Sequence, residues 1–121
     1  MKRLLFLLFC VYICSCASNV EEELSIDICE PERASFSTDI LPIITNRCTS
    51  CHGGSNPEYG LNYETHEGIL VSVISGKPES SDIYRTIKHE LGSGMPKNQE
   101  KLSDCDIEKI RNWILNGAKN D

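Results

Sequence analysis

The side chains most able to do chemistry stand together in Cys48-Thr49-Ser50-Cys51-His52. Two thiols three residues apart, with an imidazole directly after them, can serve three chemistries. They can ligate zinc, exchange as a disulfide, or add to the two vinyl groups of a haem through thioether bonds. In the last case His52 is carried under the iron and a ring nitrogen ligates it. A structural zinc site needs four ligands, usually from a second paired cluster, whereas Cys29 and Cys105 stand singly and far apart. A thioredoxin-like C-x-x-C follows a strand in a βαβ setting, and no convincing strand precedes this one. The spacing therefore predicts one covalently attached haem c on Cys48, Cys51 and His52.

A second ligand for the iron is sought among soft or imidazole side chains. Met95 is the only methionine after the start, in Gly94-Met95-Pro96. A lone methionine in a polar loop rich in glycine and proline is a poor core filler. A thioether ligand favours reduced iron and raises the potential relative to a His/His pair. His66 and His89 are the rival ligands; both fall in segments that read as helical with charged neighbours, and are expected to be exposed.

These residues must be positioned by short helices. Ser37 is the expected cap of a first helix reaching about Cys48, with Asp39 in its first turn and Phe36, Ile40 and Ile44 on one face. Residues 53–62 are rich in turn formers. A short helix is expected between Tyr63 and Ile74, and another from about Asp82 to His89, with Ile83 and Ile87 four apart. Residues 90–101 form a second loop. The last helix is the clearest: Ser103 and Asp106 make an S-x-x-D start, Ile107, Ile110 and Ile114 follow at helical spacing, and Gly117 ends it.

Residues 36–118 resemble the small class I-type cytochrome c domains of exported bacterial proteins. The resemblance rests on FSTDILPIITNRCTSCH, the tyrosine of GLNY, SSDIYRTI, MPK and LSDCDIEKIRNWILNGA. It implies an all-α fold, a cytochrome c-like domain of three to five short helices wrapped around one covalently bound haem. It also implies Met95 as the distal ligand and first and last helices that pack across each other. Such packing would bring Cys29, ahead of the first helix, close to Cys105, which opens the last, and the two are expected to form a disulfide. Leu61, Tyr63, Ile83 and Tyr84 are expected in the haem wall, and Arg85 or Lys97 near a propionate. His52 is expected to donate its second N–H to a carbonyl of loop 53–60.

The N-terminus carries a different message. Lys2 and Arg3 precede an apolar run of 11 residues, Leu4 to Cys14, too short for a membrane-spanning helix, which needs roughly 20. A basic start and a short apolar core form a secretory signal. Ser15-Cys16 resembles the lipobox of bacterial lipoproteins, which makes Cys16 the expected lipidation site and residues 1–15 the signal peptide. Residues 16–35 read as an acidic tether and 36–121 as the domain. Several acyl chains anchor firmly, each buried CH₂ adding about 0.8 kcal/mol.

The net charge is −6, and loss of residues 1–15 removes two cations and no acid. An acidic surface argues against nucleic-acid binding and suits a basic redox partner protein. No paired-carboxylate pocket, nucleophile elbow or phosphate loop is present, so no small-molecule substrate is expected. The expected function is single-electron transfer rather than enzymatic turnover, at a bacterial membrane facing the periplasm or cell surface. The alternatives are a haem peroxidase or gas-responsive protein, in which Met95 leaves the iron, and a structural zinc lipoprotein.

Overall fold

The computed structural model describes residues 29–121. The expected signal peptide, the lipidation site Cys16 and most of the tether lie outside them. Four α-helices make the frame: α1 (Leu41–Arg47), α2 (His66–Leu70), α3 (Asp82–Ile87) and α4 (Asp104–Leu115). Among the described residues there is no strand, so the domain is all-α. Each helix is short, and loops supply much of the remaining framework.

α1 is preceded by a wide helical turn, Phe36–Ile40. Its cap is Ser35, not Ser37: the Ser35 hydroxyl accepts from Thr38 N–H at 3.4 Å, and its carbonyl accepts from Ile40 N–H at 3.2 Å. Pro42, in the first turn of α1, forfeits an N–H that a helix start leaves unpaired anyway. The wide turn and α1 share one buried face of Phe36, Ile40 and Ile44. The turn is also held from afar, since Phe36 N–H donates to Asp121 Oδ1 (2.8 Å) and Ser37 N–H to the Asp121 carbonyl (2.9 Å).

α4 begins and ends as its sequence predicts. Ser103 Oγ accepts from Asp106 N–H at 3.1 Å. At the other end Gly117, with φ 104°, lets Ala118 N–H reach the Trp113 carbonyl (2.8 Å) while its own N–H reaches Ile114 (3.0 Å), a Schellman closure. Ile107, Ile110, Trp113 and Ile114 are the buried face. Phe36 and Trp113 rings lie 5.7 Å apart, so the first and last helical segments pack on each other. The half-buried pair Lys109–Asp39, at 3.1 Å, bridges the same contact.

Residues 29–35, read from sequence as the end of the tether, are built into the domain. Pro31–Arg33 forms a 3₁₀ turn against α4, and Cys29 is disulfide-bonded to Cys105 with Cα atoms 5.8 Å apart. His66 is likewise not the exposed side chain expected. Its Nε2 donates to the Ala118 carbonyl at 2.9 Å and its ring meets Phe36 edge-on at 4.7 Å. Thr65, whose hydroxyl accepts from Gly68 N–H at 3.1 Å, starts α2 and fixes this placement.

Candidate functional site

The paired thiols leave the end of α1. The Cys48 carbonyl accepts from Cys51 N–H (3.1 Å) and from His52 N–H (2.8 Å), closing a tight turn that throws the imidazole inward. His52 is 8 % exposed. Cys48 is half-buried and Cys51 is exposed. Burial pushes the Cys48 thiol up to about 11, with nearby Arg47 opposing the shift. Both thiols are free in the folded chain.

The loop after the motif returns to hold it. Glu58 N–H donates to the Cys51 carbonyl (2.9 Å) and Tyr63 N–H to the His52 carbonyl (2.7 Å). The Tyr63 ring lies 5.0 Å from the imidazole, and its hydroxyl shares a 2.6 Å hydrogen bond with buried Ser72. The Ser72 carbonyl in turn accepts from Ile83 N–H at 3.2 Å, which carries the tie into α3.

A second loop supplies the remaining sulfur. Met95 N–H donates to the Thr86 carbonyl of α3 at 2.9 Å. Gly94, with φ 77°, packs so close beneath His89 that a Cβ would overlap its ring. The Met95–Pro96 peptide is cis. His89 itself is exposed, with a positive φ of 64°, and is not among the residues that line the cleft beside Met95.

Cys48, Cys51, His52 and Met95 all line one cleft of about 360 Å³. Apolar wall comes from Leu61, Tyr63, Ile83, Ile87 and Leu102. Three of the four wall residues expected from sequence are there. Tyr84 is not: it is buried in the core, with Lys88 Nζ 5.3 Å from its ring centroid. Of the two cations expected near an anionic group, Lys97 lines the cleft, whereas Arg85 faces Asp82 at 3.8 Å. Sequence reasoning missed Arg47, Tyr59 and Gln99, which also line it. Arg47 alone carried a legible signal, its place directly before the motif.

Residues 48–99 match a family described as Planctomycete cytochrome C. No curated protein and no solved structure matches the chain. The matched span runs from the first thiol of the motif to just past Met95, and so contains every side chain proposed from sequence to hold the cofactor.

The residues present fit a haem. His52 Nδ1 is buried with no hydrogen-bond partner, a state that costs about 1–3 kcal/mol unless something supplies one. No carbonyl of loop 53–60 takes the His52 N–H that the sequence leads us to expect there. Two thiols, a thioether and an imidazole form a donor set suited to iron in a covalently held macrocycle. Among the described residues, no three His, Cys, Asp or Glu side chains come together as a metal cluster, and Cys29 and Cys105 are consumed by their disulfide. A four-ligand zinc site therefore has no frame here.

Proposed function

This chain holds a small cytochrome c-type domain, and we propose that it works as a mono-haem c-type cytochrome that passes single electrons. The observation carrying this reading is the convergence of Cys48, Cys51, His52 and Met95 on one largely apolar cleft. Haem c, when bound, supplies a one-electron iron couple. Cys48 and Cys51 would hold it by thioether bonds, and His52 and Met95 would ligate its iron. Two protein ligands on the iron would leave no room there for a substrate, which favours a carrier over an enzyme. Leu61, Ile83, Ile87 and Leu102 keep water from the cleft interior, and Tyr63 holds the His52 backbone in place.

The proposal extends to location. A lipid on Cys16 would anchor the domain to a bacterial membrane, on the periplasmic side or at the cell surface, where a basic redox partner protein would meet it. The anchor is assigned to the N-terminus because Ser15-Cys16 follows the short apolar run as in a lipobox; among the described residues no helix is long and apolar enough to cross a membrane.

The test is export of the whole chain in a cell able to attach haem, followed by mass and absorption spectra. One porphyrin adduct per chain and a low-spin oxidised form with a sulfur-to-iron charge-transfer band are expected. Met95→Ala removes that band and lowers the potential. A high-spin parent protein that binds CO readily would overturn the carrier reading in favour of a peroxidase or gas-responsive protein. Cys16→Ser should release the protein from the membrane fraction.

A further inference from the structure

Arg47 ends α1, one residue ahead of the paired thiols, and its side chain lines the same cleft. Its Nη2 donates to the Glu100 carbonyl at 2.6 Å, which ties the guanidinium to the loop that carries Met95. Its Nε is buried and has no hydrogen-bond partner. The other arginines of the described residues face carboxylates: Arg33 faces Glu30, Arg85 faces Asp82 and Arg111 faces Glu79. Arg47 has no such partner.

A guanidinium cannot shed its charge, and a buried charged donor without an acceptor costs more than a neutral one. The missing acceptor must therefore come from whatever fills the cleft. Planar N–H donors match a carboxylate best. Haem carries two propionate carboxylates, the only anionic groups on an otherwise apolar macrocycle. Lys97 also lines the cleft, but it is exposed, and water screens its charge.

We infer that Arg47 is the anion anchor of the cleft: its guanidinium, braced by the Glu100 carbonyl, takes one propionate carboxylate of the bound haem. The inference rests on the cytochrome reading above. Arg47 acts as a positioning residue, fixing the macrocycle's orientation while its positive charge disfavours the oxidised iron.

The test uses the haem-loaded full chain and three variants, Arg47→Lys, Arg47→Gln and Lys97→Gln. Resonance Raman reads the propionate bending band, and redox titration at fixed pH reads the midpoint potential. The band should shift in both Arg47 variants and stay in place in Lys97→Gln. The potential should fall in Arg47→Gln and recover most of the way in Arg47→Lys, which keeps the charge but loses the Nε donor. Should Arg47→Gln fail to accumulate loaded protein, Arg47→Lys still reads the band. A loaded Arg47→Lys with an unmoved band overturns this inference alone. A parent chain carrying no porphyrin overturns it together with the reading beneath it.

Discussion

Tyr63 is joined to His52 twice: its N–H donates to the His52 carbonyl at 2.7 Å, and its ring lies 5.0 Å from the imidazole. The same tyrosine reaches away from the site through a 2.6 Å hydrogen bond to Ser72. Burial raises its phenol above the ordinary range, while the Ser72 hydrogen bond opposes this, so the hydroxyl stays protonated at neutral pH. The candidate ligand is thus steadied by a residue eleven positions on, which is itself fixed to the turn after α2.

Removing only the hydroxyl separates these two roles. Tyr63→Phe keeps the ring beside His52 and leaves Ser72 Oγ buried without its partner. A loss of about 1–2 kcal/mol in denaturant unfolding is expected, with the absorption spectrum of the loaded protein unchanged. Adding Ser72→Ala should recover part of that loss, because the orphaned hydroxyl is gone. Additive losses in the double variant would show that the two hydroxyls are not coupled.

The thiols offer a second prediction, for the folded chain before haem attachment. Cys51 is exposed, while Cys48 is half-buried with its thiol pushed up to about 11 from an ordinary 9.0. A raised thiol pKa leaves less thiolate at pH 8, by roughly 100-fold for two units. Alkylation followed by peptide mass spectrometry should therefore label Cys51 first and Cys48 much later. Denaturant should abolish the difference. Equal rates in the folded chain would contradict the burial of Cys48.

How far the sequence reaches can be judged from these residues. C-x-x-C-H, the Met95 loop and the Ser103-to-Gly117 helix are local patterns; the helix forms as its pattern implies, and the side chains of the other two line one cleft. Ser35 rather than Ser37 caps the first segment because the chain enters through a widened turn, and i+4 spacing of apolar residues does not distinguish a wide turn from an α-helix. His66 looked solvated among charged neighbours, yet Phe36 and Ala118, 30 and 52 residues away, enclose it. Arg47 shows the same limit: Glu100, 53 residues on, holds its Nη2 while its Nε stays buried without a partner. Long-range contacts of this kind leave no period in the sequence.

The disulfide closes a long loop. Cys29 and Cys105 are separated by 76 residues, for which the chain-entropy account gives about 4 kcal/mol of stabilisation. Replacing both with alanine should lower unfolding stability by an amount of that order while the haem remains attached, since neither lines the cleft. Pro31–Arg33 should also lose protection from proteolysis, because its packing on α4 is held through Cys29. An unchanged unfolding midpoint would mean that the reduced, unfolded chain is already compact.

The last prediction concerns acid. Burial would raise the Asp39 carboxyl, but Ser35 N–H, the Thr38 hydroxyl and Lys109 all favour its charged form, and the balance lies below the ordinary carboxylate value. A depressed carboxyl contributes stability that is present above the unfolded pKa, about 3.9, and is lost as pH falls through the lower folded value. Asp39→Asn keeps the shape, loses the charge, and replaces one acceptor oxygen by a donor. It should destabilise the domain at pH 7 by about 1–2 kcal/mol, and the difference from the parent should shrink as pH falls below 4. Lys109→Met should remove only the 3.1 Å ion pair and cost less, since half-exposed pairs contribute little. Urea unfolding at pH 7, 5 and 3 measures all three proteins. A penalty for Asp39→Asn that stays constant across that range would show that the wide turn is held by side-chain shape and not by the carboxylate charge.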